Sequence, residues 1–423
     1  MNVFLKKLEI LVRDRFLRTR VLFILGIFAI FRLLSTIPIP GVDVAALQNF
    51  LQGNQFFGLL NIFSGGALSQ LSIVMLGTGP FITGSIIIQL LTILSPKLKD
   101  MYHHQGEIGR KKFNQVSRLI TIPIAALQGF GLLALLTQQG IIQNLGIVGT
   151  ITNLIIVISG AMLTMWLGEL ISEYGFGNGV SLIIFAGIVA SIPSNISQLI
   201  FTYTPSQLPT YIGLLVAIIV LVAGIIYIAE AERPLPVIYA KHSRGGQTYG
   251  GTASYIPLRI NMAGVMPIIF GISILLFPRM IANFFMVASN ATLQRIGNIV
   301  NDIFNNGWFY GITYFILVFL FTYFYTAITF DPESMADNLQ KGGAFIPGVR
   351  PGMATREYIG MVVNRITLVS ALFLAVLAII PTIVQSATGI TSFALGGTSI
   401  LIVVGVISDL INKLDAQIAM REY

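Results

Sequence analysis

Few residues in this chain could do chemistry, and their spacing does not favour it. No cysteine occurs among the 423 residues, which removes disulfides, thiolate metal ligands and a thiol nucleophile together. The three histidines, His103, His104 and His242, fall in polar stretches between apolar runs. There is no HExxH to place two imidazoles on one helix face and no GxSxG to lift a serine onto a sharp turn. No serine–histidine pair lies inside an apolar run, so an intramembrane hydrolase has no dyad to work with. No ATP-binding motif and no cofactor motif is present, so the chain is not read as an enzyme and any work it does draws energy from elsewhere. Among the few charges within the apolar runs are Arg32 and Glu169, each toward a run's end, with Glu169 beside Trp166 in MWLGE. That placement reads as interfacial anchoring. Ion-coupled transport needs charge at mid-membrane.

The elements around these residues are apolar throughout. Hydrophobic residues make up 55% of the chain and charged ones 10%, against about 25% charged in a soluble domain. Ten segments suit a spanning helix, which needs about 20 mostly apolar residues: 21–38, 73–95, 116–136, 152–172, 179–193, 211–229, 262–280, 309–329, 360–380 and 393–412. The fifth is short. With the N-terminus cytoplasmic, all of the 25 Lys and Arg except Arg32, Arg279 and Arg295 fall on the cytoplasmic side, the asymmetry that orients membrane helices. The net charge of +8 therefore reads as topology, not as a nucleic-acid footprint. Both termini are expected in the cytoplasm. Ten spans divide into an N-terminal half, 1–195, and a C-terminal half, 196–423. Each has an odd number of spans, so the halves are inverted, as in many transport proteins.

Two features break the regularity. From Gly58 to Leu94 the apolar stretch is too long for one span and is interrupted at Gly65-Gly66 and at Gly77-Thr78-Gly79-Pro80. One reading is a short half-inserted helix near 59–72, a hinge and then a full span, lining a cavity because irregular backbone at membrane depth needs protein or water around it. The other is a span with an amphipathic lead-in on the surface. The second feature is a pair of cytoplasmic loops, about 231–257 (with the Gly-rich 240–257) and 331–357. They read either as docking surfaces for a soluble partner or as basic sidedness signals.

The motifs FRLLSTIPIPG (31–41), FSGGALSQLSI (63–73), ITGSIIIQLL (82–91), GEIGRKKFNQVSR (106–118), MWLGELISEYGFGNGVSLIIFAGIVASIP (165–193), PLRINMAGVMPIIF (257–270), DPESMADNLQKGGAFIPGVRPG (331–352) and GGTSILIVVGV (396–406) resemble the SecY/Sec61-alpha family, in family order and from the first span to the last. The resemblance implies an all-α integral membrane protein: ten transmembrane helices in two inverted five-helix halves around a central hourglass pore, with a plug helix and a lateral gate. The pore ring would comprise Ile82, Ile184, Ile269 and Ile402, with Val180 nearby. The plug, about 59–72, would include Asn61, Phe63, Ser64, Gly65 and Gly66. The lateral gate would lie between spans 73–95 and 262–280, with Thr83, Gln128 and Asn261 as a polar cluster. Lys241, Arg244 and Arg350 would serve partner docking. This chain has SRGGQTYGG where many bacterial members carry a basic pair, so the first loop's contacts differ.

The implied function is a protein-conducting channel for unfolded secretory polypeptides, with lateral release of membrane segments. The implied partners are SecE, SecG, the motor ATPase SecA, the ribosome, signal sequences with their nascent chains, and membrane lipids, with no direct nucleotide binding. The implied location is the plasma (inner) membrane of a bacterium, or a thylakoid. A small-solute transporter shares the inverted topology and broken helices but would need a mid-membrane ionisable site. An intramembrane enzyme would need a dyad.

Overall fold

The computed structural model describes residues 13–419 apart from 44–46, 48–57, 59, 63, 104–105, 144–145, 202–207, 240–241, 245–246, 250–252, 288–289 and 389–390. Helix α1 (Arg15–Ser35) starts at Asp14, whose carboxylate accepts from the Phe16 and Leu17 amides and so satisfies two of the four N–H groups a helix start leaves open. Then come α2 (Gly79–Leu94), α3 (Pro96–His103), α4 (Gly106–Gln138), α5 (Gly146–Tyr174), α6 (Gly179–Phe201) and α7 (Leu208–Glu230). After a β-rich stretch the chain continues as α8 (Met266–Val287), α9 (Ala291–Asn305), α10 (Gly307–Thr329), α11 (Pro332–Lys341), α12 (Met353–Thr388) and α13 (Thr391–Ala419). A helix coincides with each of the ten expected apolar segments. Among the described residues five helices are long and apolar enough to cross a membrane by themselves, and Gly79–Thr92, Gly179–Pro193 and Met266–Ala282 are apolar but shorter.

Four threonine hydroxyls buried in these helices are satisfied locally. Thr121, Thr164, Thr322 and Thr367 each donate to the carbonyl four residues back, at 2.7–2.8 Å. This is how a polar side chain is kept in an apolar medium without a partner helix. Glu169 pairs with Arg118 across α5 and α4. It is thus an inter-helix contact and more than the interfacial anchor its position beside Trp166 suggested.

The stretch before α2 departs from the expected helix–hinge–span order. Residues 60–62 are helical, 64–66 form a turn, Ala67–Gln70 is a 3₁₀ turn, and irregular backbone runs to Thr78. The full helix begins at Gly79, not at 73, because Pro80 occupies its first turn, where the missing N–H costs nothing. Residues 71–73 are bonded to 37–39 through an isolated β-bridge between Ser72 and Pro38: Ile39 N donates to Leu71 O and Ile73 N to Ile37 O, both at 2.9 Å. Gly160 of α5 lets this piece press in, since a Cβ there would lie 1.8 Å from the Ile73 carbonyl oxygen.

The loops are more ordered than their Gly-rich composition suggested, and they are the departure from an all-helical chain. Strand β1 (Glu232–Tyr239) pairs antiparallel with β4 (Ala253–Arg259), and β5 (Ala344–Phe345) from the other loop adds to the far edge of β1. A hairpin of β2 (His242–Arg244) and β3 (Gln247–Tyr249) lies between β1 and β4. Pro234 and Pro236 sit in the part of β1 that β5 does not reach, so an edge without donors is tolerated there. Leu235, Leu258, Ile346, Ile359, Val362 and Val363 form one core, which fuses both loops to the start of α12.

This core is separate from the main helical core. Leu258→Ala should therefore cost about 2–5 kcal/mol locally. Protease nicking within 240–252 should accelerate while the thermal transition of the helices in detergent stays in place. A matching drop in the helical transition would show that the loops and helices unfold as one unit.

Candidate functional site

Four isoleucines reach the middle of the helical core from four helices. Ile82 comes from α2, Ile184 from α6, Ile269 from α8 and Ile402 from α13, and each is at most 5% exposed. They belong to one contiguous buried cluster that also holds Leu68, Leu71, Val74 and Met75, with half-buried Val180 packed on it. These are also the helices that join residues 1–195 to residues 196–423: α8 packs on α2 and α4, and α6 packs on α13. Local chemistry sets their positions. Asn178 caps α6 by accepting from the Val180 and Ser181 amides, at 3.0 and 3.3 Å. Gly179 lets α6 meet α5, since a Cβ there would sit 1.8 Å from the Gly168 carbonyl oxygen. Gly405, one turn from Ile402, lets α13 meet Val265 just before α8, where a Cβ would come within 2.1 Å.

Segment 61–72 is inserted in this cluster, and its Asn61, Ser64 and Ser69 side chains bond within the segment, while Ser72 Oγ is buried without a hydrogen-bond partner among the described residues. Asn61 Oδ1 accepts from Ser69 N at 3.0 Å. Ser64 Oγ donates to Asn61 O and accepts from Leu68 N, both at 3.0 Å. Ser69 Oγ donates to Gly66 O at 2.7 Å. Toward its neighbours the segment relies on fit. A Cβ on Gly187 of α6 would lie 2.0 Å from Gly65 Cα, and one on Gly65 would lie 2.8 Å from the Phe31 ring. Gly65 and Gly66 also need φ of +65° and +83°, which glycine alone adopts freely. Phe63 lies outside the described residues.

Next to the segment is a small cavity of about 40 Å³ lined by Leu60, Leu68, Thr83, Gln128, Ser273 and Phe277, that is, by the segment, α2, α4 and α8. Thr83 and Gln128 are brought together as expected, and Asn261 is not with them. It lines a second cavity of about 50 Å³ with Arg259, Ser408, Asp409 and Asn412, and its amide donates to Gly264 O at 3.3 Å. Ser273 takes the third polar place beside Thr83 and Gln128. It lies one helical turn beyond Ile269, a spacing that could have pointed to it. The Ser273 and Thr83 hydroxyls each donate within their own helix, to Ile269 O at 2.9 Å and Gly79 O at 3.0 Å. Their protons are thus not available to tie α8 to α2.

Of the residues expected to dock a partner, Lys241 lies outside the described residues. Arg244 ends β2, and its side chain is likewise outside them. Arg350 is exposed on a turn with a fixed backbone. Its carbonyl accepts from Thr355 Oγ1 at 2.8 Å, Val349 N donates to Ile346 O at 3.0 Å, and Gly348 and Gly352 flank it at φ +80° and +97°. Through β5 this turn shares a sheet with the other loop.

Comparison with known proteins bears on this arrangement. The SecY family profile matches residues 72–411. A protein translocase subunit SecY from Synechococcus elongatus is 40% identical over 415 residues, covering 96% of this chain and 93% of the relative. Among solved structures, a protein-conducting channel superposes with a TM-score of 0.64 at 17% identity, covering 93% of this chain and 90% of that one. Sec61 in the canine ribosome–channel complex from the endoplasmic reticulum gives 0.58 at 17% identity, with the same coverage. At such identities the structural likeness concerns the fold.

The Gly65–Gly187 contact leaves no room for a side chain. Gly187→Ala should push segment 61–72 outward. In the background of Ala67→Cys, a position 0% exposed in a chain without other cysteine, maleimide labelling should speed up by at least about tenfold, equivalent to about 1.4 kcal/mol of lost closure. Unchanged labelling would mean that α6 and the segment separate at no cost.

Proposed function

The chain belongs to the SecY family, and on that premise we propose that it is the channel-forming subunit of a Sec-type protein translocase. It passes unfolded secretory polypeptides across the membrane and releases apolar segments sideways into lipid. The observation that carries this reading is that Ile82, Ile184, Ile269 and Ile402, from four helices, share one buried core with Ala67, Leu68 and Leu71 of segment 61–72. The reading divides the ten spans into two inverted halves, 1–195 and 196–423, with the isoleucines at the waist of an hourglass pore. A tight apolar constriction excludes ions because water leaves it. It also offers no fixed hydrogen bond, so an extended chain of any sequence can slide through. Val180 widens the apolar collar.

Segment 59–72 is the plug. The side-chain hydrogen bonds of Asn61, Ser64 and Ser69, closed within the segment, support this role, because that part can move aside without orphaning those groups. The lateral gate is the seam where α2 and α4 meet α8. The polar residues facing it are Thr83, Gln128 and Ser273, while Asn261 stands at the base of α8 near the loops. The gate holds by apolar contact, which an apolar signal sequence can replace surface for surface.

SecE and SecG complete the complex in this reading, and the motor SecA or a ribosome docks on the loops that share the β4–β1–β5 sheet. Lys241, Arg244 and Arg350 supply the charge. The guanidinium of Arg350 can bind a carboxylate or an RNA phosphate with two parallel bonds. The membrane is a bacterial plasma membrane or a thylakoid, with both termini in the cytoplasm according to the distribution of Lys and Arg.

Replacing the four isoleucines with serine should make the resting channel conduct ions in planar bilayers, since a wetted waist loses its barrier. Resting conductance equal to the parent's would remove the ring from the mechanism. At the loops, Arg350→Glu should abolish motor-driven import into reconstituted vesicles while assembly persists, and Arg350→Lys should be intermediate. Full activity of the Glu variant would end the docking role. Full activity of the Lys variant alone would favour simple charge over two-point recognition.

A further inference from the structure

Helix α9 carries an apolar face that none of the described residues covers. At 100° per residue its positions sort into three arcs. Leu293, Gly297, Val300 and Phe304 turn toward α8, and Gly297 is in such close contact that a Cβ there would lie 2.7 Å from the Ala282 carbonyl oxygen. Gln294, Arg295, Asn298 and Asp302 form a polar arc. Between the two, Ile296, Ile299 and Ile303 stand 43%, 53% and 42% exposed. The helix is fixed at its far end, where buried Arg279 of α8 donates from Nη2 to Phe304 O at 2.7 Å.

The surroundings identify what covers that face. Phe304 packs edge-on against Phe309 at 5.4 Å, and Asn306 caps α10 by accepting from Trp308 N at 3.1 Å. From there α10 exposes Trp308, Ile312, Ile316 and Leu320 at successive turns, in a helix long and apolar enough to cross a membrane. The medium against that stripe is hydrocarbon. The isoleucine face of α9 adjoins its end, with the Trp308 indole 78% exposed at the junction, the residue type that collects at the bilayer interface. A surface helix with one polar and one apolar arc lies in that plane with its apolar side about 5–10 Å deep.

We propose that α9 is an interfacial lipid-binding helix whose Ile296–Ile299–Ile303 face rests at the headgroup–acyl boundary on the side opposite the loop sheet, and that this contact fixes the depth of α8. The polar arc carries one Arg and one Asp, so apolar burial and not attraction to anionic headgroups supplies the binding. Because α8 also contributes Ser273 and Phe277 to the first cavity, the helix that borders the cavity is tied to the membrane surface. This inference stands on the spanning character of α10 and does not require the translocase reading.

Bimane-labelled Ile299→Cys and Asn298→Cys variants of the otherwise cysteine-free full-length chain test it in phosphatidylcholine vesicles. Both sites are exposed, so the label should leave the fold intact. The label at 299 should be quenched several-fold more by a lipid with a shallow doxyl group than by iodide on both faces, and the label at 298 should show the reverse. Added phosphatidylglycerol should not change the pattern. Dominant iodide quenching at 299 would place the face in water, and protection from both quenchers would mean that a protein covers it. Either outcome overturns the proposal. Adding Ile296→Asn and Ile303→Asn should shift the label at 299 toward iodide. An unmoved label would show that α8 alone holds α9 in place.

Discussion

Inside a membrane no water is present to take up an orphaned N–H or C=O, so a chain can hold irregular backbone there only by surrounding it with protein. Residues 64–78 are such backbone: a turn, a 3₁₀ turn and a run without helix. Much of the core is arranged around them. Helix α1 offers Phe31 against Gly65, α5 offers Gly160 against Ile73, and α6 offers Gly187 against Gly65. Glycine recurs on the helix side because backbone must approach backbone, and a single methyl group would intervene. Where the segment does bond to a neighbour, at 71–73 against 37–39, it does so through an isolated β-bridge.

The same constraint shapes the segment's own side chains. Asn61, Ser64 and Ser69 are satisfied within 61–69. The bridge at Ser72 ties one end of the segment to 37–39. At the seam between α8 and the α2–α4 pair, Thr83 and Ser273 likewise turn their protons onto their own helices. Inter-helix hydrogen bonds in membranes average about 0.6 kcal/mol. A seam that relies on apolar fit instead loses little when lipid or an apolar helix takes one side's place.

Outside the helices the organisation differs. There water competes for hydrogen bonds, and the loops gain order from a small core. Leu235 and Leu258 from one loop and Ile346 from the other meet the start of α12. This makes the turn bearing Arg350 part of a rigid body and not a free tip. An arginine so held loses less freedom on binding than one on a flexible loop.

The sequence by itself determined where the apolar segments lie, where glycine and proline break them, and which of the stretches between them carry the basic residues. These depend on local composition, and a helix coincides with each of the ten segments. It also marked Gly65-Gly66 and Gly77–Pro80 as breaks, because backbone freedom and a missing N–H act within a few residues. Which residues meet was decided by the tertiary structure. Ser273 and not Asn261 shares a cavity with Thr83 and Gln128, Glu169 finds Arg118 on another helix, and β5 joins a strand more than a hundred residues before it. In a soluble helix the apolar stripe tells which face is buried. In a membrane helix lipid-facing and protein-facing sides are both apolar, so the pattern that locates the helix says nothing about its rotation, and only packing against the neighbours sets it.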